Sequence, residues 1–372
     1  MASCSNVQTL KASNLILSLY EYGFRLPVLS CCYRHQHQHQ HQHRHSHSYS
    51  TRKISVETLC PKSQNPQEDI ANALRPHFEQ QTPVLMQTVY SSENCPAMDI
   101  AKNHEIDSED GTNRDNNNNT NWNNLNYLLQ KVGEDTPCQV EVGGSYSNGT
   151  TERPEITFGD YIHYITMFHE KYGREGECKD TEAEAPLSID MPTATSNSSP
   201  SGEELVYLAQ NDLFPPLWDD IQIPDLCKDP SHKVGNGSLY STMFWFGPRG
   251  CVSPLHYDPL DNLLMQFVGR KRVMLYPPAG TGGAQDGGRD GDGNGNGGQW
   301  HYAGHGIQQY NTSPIDLNES PDLIVKKYPL FSRAPTVVEC ILEPGSILYI
   351  PSKWWHHVTS KDTCVSVNAW WR

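Results

Sequence analysis

No apolar run in the chain approaches the roughly 20 residues that a membrane-spanning helix needs. The short apolar stretch 15–19 near the N-terminus is broken by Ser18 and runs into Tyr20 and Glu21, which argues against a secretory signal. A disulfide or zinc pattern is also missing. The 11 cysteines are odd in number, irregularly spaced and include no CxxC pair. They read as reduced thiols of an intracellular compartment. Apolar residues are scarce at 36%, with a mean hydropathy of -0.64, so long polar tracts dilute a smaller folded core. Positive charge is scarce too. A net charge of -15 speaks against a general phosphate-backbone binder.

What basic charge there is gathers at the start. Residues 1–54 hold Lys11, Arg25, Arg34, Arg44, Arg52 and Lys53 against Glu21 alone, a net +5 that leaves -20 on the remainder. An acid-poor, basic segment of this kind fits a mitochondrial transit peptide and fits equally a disordered tail of a nuclear or cytoplasmic protein. Seven histidines alternate with polar residues between His35 and His47. With nothing apolar on either face, that tract has no core to bury and is expected to be a disordered repeat.

A folded domain is expected over 70–372. Ile70, Ala73, Leu74 and Phe78 share one helical face, and 82–86 reads as a short strand. Helical patterns recur at 125–132 and 157–172, with a strand at 139–142 between them. Three polar stretches, 103–124, 174–202 and 280–298, read as disordered insertions. From Glu204 onward, short apolar runs bounded by Gly, Pro, Asn or Asp follow at 206–209, 241–246, 263–267, 272–276, 337–342, 346–350 and 364–371. No long helix alternates with them, so an antiparallel, mainly β barrel or sandwich is expected.

Within these runs, His256-Tyr257-Asp258 places a nitrogen and a carboxylate ligand at i and i+2, on one face of a strand. A histidine from a second strand would complete a two-histidine, one-carboxylate triad with open positions, the arrangement that suits iron(II). His356 and His357 are both placed to supply it. They are neighbours on a strand, so only one of them can face the barrel interior.

At these residues the chain resembles the JmjC, cupin-type 2-oxoglutarate-dependent oxygenases. Trp245-Phe246-Gly247-Pro248, Ser253-Pro254-Leu255-His256-Tyr257-Asp258-Pro259, Asn262 and Gly269-Arg270-Lys271 follow the family's core motif. Ile341-Leu342-Glu343-Pro344-Gly345, Ile350-Pro351, Trp355-His356 and Trp370-Trp371 follow its C-terminal half. The sequence is most similar to the small protein hydroxylases of the jumonji-domain-containing protein five type, first described as histone lysine demethylases. It is similar next to the tRNA wybutosine hydroxylases, through 256–264, Lys271-Arg272-Val273 and Tyr328-Pro329-Leu330-Phe331. Those hydroxylases end near Trp370-Trp371-Arg372, so the C-terminus is expected to be complete.

The resemblance implies a double-stranded β-helix, a cupin jelly-roll with a few flanking helices, that uses Fe(II), 2-oxoglutarate and O2. It implies His256, Asp258 and His356 as iron ligands. It implies Lys271, Tyr207 and Ser253 at one carboxylate of 2-oxoglutarate and Asn262 near the other. Read without the resemblance, Lys271 beside Arg270 and Arg272 fits a surface lysine as well. The protein-hydroxylase relatives further imply Glu141, Trp245 and Trp370 around a basic substrate side chain, Arg or Lys. A carboxylate with aromatic walls suits a guanidinium, although Glu141 also fits an edge-strand surface position and Trp245 a core position. A protein substrate, a tRNA substrate reached through the basic triplet 270–272, and a catalytically silent binding module are the three readings the sequence leaves.

Overall fold

The computed structural model describes residues 51–59, 65–92, 94–98, 121–143, 153–173, 205–278, 300–302 and 311–372. The His tract and the stretches 174–202 and 280–298 lie outside the described residues, as does 103–120 of the first expected insertion.

In chain order, β1 (Thr51–Lys53) and β2 (Ser55–Thr58) precede α1 (Pro66–Gln80) and β3 (Val84–Gln87). Then come α2 (Leu125–Val132), β4 (Pro137–Gln139), β5 (Glu141–Val142), β6 (Glu155–Thr157), α3 (Phe158–Tyr172) and β7 (Val206–Asp212). The helix starts follow local chemistry. Asn65 accepts from the Glu68 amide ahead of Pro66, and Thr157 accepts from the Asp160 amide at 3.0 Å. Helix α3 is pinned to the sheet by tyrosines. The Tyr161 hydroxyl donates to the Phe246 carbonyl and accepts from the Leu208 amide at 3.2 Å, while the Val206 amide donates to Tyr164 Oη at 3.0 Å.

Eight strands then build the barrel: β8 (Leu239–Gly247), β9 (Val252–Tyr257), β10 (Asp261–Val268), β11 (Lys271–Tyr276), β12 (Val337–Leu342), β13 (Ile347–Ile350), β14 (Trp355–Ser360) and β15 (Cys364–Trp371), with α4 (Pro321–Lys327) between β11 and β12. Successive strands go to alternate sheets, except β11 and β12, which pair in the same one. One sheet runs β2-β3-β13-β10-β15-β8-β7-β5 and the other β1-β12-β11-β14-β9. Every pairing among the eight is antiparallel. This is the double-stranded β-helix expected from the sequence.

Period-2 alternation decides what faces where. On β15, Val365, Val367 and Ala369 turn outward into the core shared with α1–α3, while Ser366, Asn368 and Trp370 turn into the barrel. A second apolar cluster fills one part of the interior, with Leu264, Val273, Leu275, Leu348 and Val358 drawn from both sheets. A third covers the outside of the smaller sheet, where Trp300, Ile315, Leu317, Ile324 and Phe331 pack on Leu255, Met274 and Trp355.

Two expected boundaries are corrected. The folded part begins ahead of residue 54 and not at 70, because β1 pairs in parallel with β12 and β2 with β3. Their partner edges are supplied by residues far along the chain, so nothing local announces them. The polar stretch 103–124 is also cut short. Trp122 is fully buried, stacks against Phe244 and Phe267, and donates its indole N–H to Asp220 at 2.9 Å. Asp220 also accepts from Tyr127 at 2.8 Å and ion-pairs with Lys131 at 3.1 Å, which fastens α2 to the barrel.

Candidate metal and co-substrate site

The candidate metal centre lies where β9 and β14 run side by side. His256 and His356 are cross-strand partners with ring centroids 4.1 Å apart. Each ring is oriented by its own strand: Nδ1 of His256 lies 2.7 Å from the Pro254 carbonyl, and Nδ1 of His356 lies 3.0 Å from the Trp354 carbonyl. A carbonyl accepts only, so Nδ1 carries the proton and the lone pair is left on Nε2. Asp258 follows just beyond β9, with Oδ2 3.6 Å from His356 Nε2. That oxygen also accepts from Trp370 Nε1 at 3.0 Å and lies 3.5 Å from Asn262 Nδ2. One ligand atom from each of the three side chains falls within 4.8 Å of the other two. Burial first, and the neighbouring His256 next, push His356 down to about 4, so it is neutral at physiological pH. Two imidazoles that turn Nε2 toward one another's side of the barrel and one carboxylate fit a divalent iron.

His357 takes the other face of β14. It is buried and pushed down to about 3, chiefly by burial and then by Arg272. It is not brought to the cluster.

The strand carrying His256 is held from its far side as well. The Tyr257 amide donates to the Asn311 carbonyl at 3.0 Å, and Asn311 Nδ2 donates back to the Tyr257 carbonyl at 2.8 Å. The Ser313 amide donates to the Leu255 carbonyl at 2.8 Å, and Thr312 bridges to His256. His301 stacks flat on Trp355 with centroids 4.2 Å apart.

Deeper in the barrel, Lys271 points inward from β11 and is 3% exposed. Its Nζ lies 2.6 Å from Ser366 Oγ and 3.4 Å from Tyr207 Oη. Burial lowers its pKa. Among the described residues no carboxylate pairs with it. A buried ammonium flanked by hydroxyls alone is a receptor for an anion. Ser253 is buried on β9 opposite Val358. Asn262 is gripped on its other side by Asn368, whose Nδ2 donates to Asn262 Oδ1 at 2.6 Å. Ser366 and Asn368 are absent from the sequence-based site. Their signal was available: polar residues alternating with Val and Ala in a strand buried on both faces.

The basic triplet 270–272 does not form a patch. Arg270 makes a two-point pair with Asp362 at 2.8 and 3.2 Å, Lys271 is inside, and Arg272 is taken by Glu339 at 2.5 Å. Strand alternation separates neighbours that the sequence places together.

Toward the β5–β7 edge, Glu141 sits opposite Tyr207 and is 1% exposed, which rules out the edge-surface reading. Trp245 and Tyr207 are ring neighbours at 5.9 Å, and Trp370 packs on the same cluster. Tyr207 thus stands between Lys271 on one side and Glu141 with Trp245 on the other. Glu141 Oε2 and Trp245 Nε1 are both buried with no hydrogen-bond partner among the described residues. Burial raises Glu141 to about 7, against the pull of Arg153, whose Nε lies 3.6 Å from Oε1.

The barrel and its triad define a class, and comparison with known proteins agrees. The family model described as the cupin-like domain matches residues 71–372. The chain belongs to that family, and its relatives place it among the JmjC proteins. It is 34% identical to the lysine-specific demethylase JMJ30 of Arabidopsis thaliana over 68% of this chain and 46% of that protein. It is 32% identical to the Jumonji C domain-containing protein 5 of Drosophila melanogaster over 67% of this chain and 50% of that protein. A shorter match, 34% over 43% of this chain and 40% of the relative, reaches the human tRNA wybutosine-synthesizing protein 5. The match spans about half the length of these relatives. No helix among the described residues is long and apolar enough to cross a membrane.

Proposed function

We propose that the protein is an Fe(II)- and 2-oxoglutarate-dependent oxygenase that hydroxylates, or demethylates through hydroxylation, an Arg or Lys side chain of a protein. The observation that carries the oxygenase reading is the pairing, inside one barrel, of a preoriented His-Asp-His triad with a buried ammonium that has no anion. His256, Asp258 and His356 would hold the iron. Lys271, Tyr207 and Ser366 would hold the distal carboxylate of 2-oxoglutarate. When bound, iron with 2-oxoglutarate and O2 supplies oxidative decarboxylation, in which one oxygen atom passes into succinate, carbon dioxide leaves, and the other oxygen atom enters a substrate C–H bond.

The chain's own residues do the rest. The Pro254 and Trp354 carbonyls keep both imidazoles in the tautomer that presents Nε2. Trp370 and Asn262 hold Asp258 by the oxygen nearest His356. Ser366 and Tyr207 fix the Lys271 head, so the dicarboxylate meets a cation that is already in place. The apolar packing around them keeps water away from the reacting carbon.

For the substrate, the support is Glu141: an enclosed carboxylate with one bare oxygen, beside aromatic rings of Trp245 and Tyr207. A guanidinium or ammonium satisfies that oxygen and stacks on those rings. The wybutosine-type relative favours a nucleoside reading, but Arg270 and Arg272 are already occupied by acids, and residues beyond 54 carry -20. Incubation of purified protein with iron, 2-oxoglutarate and basic peptides or tRNA decides among them. Succinate release with a gain of roughly 16 daltons on the peptide is the expected result. No succinate from the parent protein, with His256→Ala binding iron as well as the parent, sinks the oxygenase reading.

A further inference from the structure

The Arg153–Glu141 pair is unlike the Arg270–Asp362 pair. Arg270 reaches Asp362 with two guanidinium nitrogens. Arg153 instead lies 3.6 Å from Glu141 Oε1 through Nε and spends its hydrogen bond elsewhere, from Nη2 to the Ala209 carbonyl at 2.9 Å. That carbonyl is available because β7 carries a bulge between Leu208 and Asn211, with Gln210 at φ 54. Bulges of this kind re-aim backbone groups and are retained features of a fold. The Arg153 side chain is 35% exposed, so it reaches the carboxylate from the solvent side, while Glu141 is sealed at 1%. The result is a carboxylate with a cation beside one oxygen and, among the described residues, no hydrogen-bond partner on the other.

We propose that Arg153 is a positioning residue: fastened to the bulge carbonyl of Ala209, it favours the anionic form of buried Glu141 while leaving Oε2 bare for one cationic group of the substrate. The assignment rests on the proposed basic substrate, and it adds a reason why that site can work at neutral pH. An isolated carboxylate in an apolar pocket takes up a proton and stops attracting a cation. Arg153 opposes this, and it is the one charged group among the described residues that acts on Glu141. Tyr207 on β7 faces Glu141, and the Cys251 thiol before β9, kept protonated by burial, lies in its field. An Arg153 that imitated the substrate would take both oxygens, as Arg270 does with Asp362. Its single-sided approach and its backbone anchor place it beside the binding position, outside it.

The test follows the Glu141 carboxyl directly. Full-length protein labelled with 13C at glutamate side-chain carboxyls is titrated by NMR, with Glu141→Gln identifying the signal. The midpoint is expected to rise by at least one pH unit in Arg153→Gln, which keeps an amide donor for Ala209 but removes the charge, and to return in Arg153→Lys. In parallel, binding of Nα-acetyl-arginine methylamide and its lysine counterpart is measured between pH 6 and 9. Arg153→Gln is expected to bind at least threefold more weakly at pH 7.5 and to recover at alkaline pH. An unmoved midpoint overturns the proposal, as does tighter binding by Arg153→Gln, which would make Arg153 a competitor of the substrate. A shifted midpoint with no basic probe bound by either protein supports the role of Arg153 and overturns the substrate reading instead.

Discussion

The two ends of the barrel's polar interior are finished to different degrees. At the metal end the orienting atoms already have partners: both Nδ1 atoms, Asp258 Oδ2 and Asn262 Oδ1 are engaged by protein groups. At the β5–β7 end, Glu141 Oε2 and Trp245 Nε1 are buried and bare. The first end is preorganised, so an ion can be captured with little rearrangement. The second is left incomplete at a cost in stability, because a buried polar atom without a partner is destabilising. A ligand that supplies the missing partners recovers that cost on binding, which is a basis for selectivity.

The sharpest way to break the contrast is at the triad. Asp258→Ala removes one ligand and abandons the Trp370 N–H. It should abolish 2-oxoglutarate turnover, a loss of roughly a thousandfold or more of the kind seen when an essential charged catalytic group is deleted, while circular dichroism stays native. Next in size is Lys271→Ala, which should raise the KM for 2-oxoglutarate on the order of a hundredfold by removing a desolvated charge-assisted contact. Iron titration should be unaffected. Asn368→Ala tests the layer behind the ligands. Freed on one side, Asn262 should hold Asp258 less well, and metal affinity should fall about tenfold.

Glu141 offers the most discriminating sign. Its folded pKa of about 7 lies above the ordinary carboxylate value of 4.5. Its contribution to stability is therefore fully present below the ordinary range and is lost as pH rises through about 7. The stability gained by Glu141→Gln relative to the parent should grow between pH 5 and pH 8.5, by on the order of 3 kcal/mol at most, as read from urea unfolding. Basic-peptide binding should disappear in the same variant. A pH-independent difference would show that the carboxylate is solvated in solution.

Much of this was readable in the residues. Six of the seven apolar runs after Glu204 became barrel strands and the first became β7 beside them, and His256 with Asp258 two positions on came together because strand periodicity is local. His356 was separable from His357 only by alternation and resemblance, and the structure turns His357 toward Arg272. The failures share a cause in pairings between distant segments. Trp122 sits in an asparagine-rich stretch, and only the rings of Phe244 and Phe267 and the carboxylate of Asp220 explain it. The triplet Arg270-Lys271-Arg272 looks like a charge cluster until the acids Asp362 and Glu339, about 90 and 70 residues further on, claim its two arginines. Arg153 gave no sign at all, since its meaning depends on a bulge in β7.

The strap formed by 311–313 has a consequence for how this domain can vary. It closes the outer edge of β9, so the strand that carries His256 offers no open ladder to another chain. Because the strap rejoins the sheet through Asn311 and Tyr257, the spacing of the metal ligands is set after the long connection from β11 has ended. Loosening the strap at Asn311 would therefore free the end of β9 on which His256 sits.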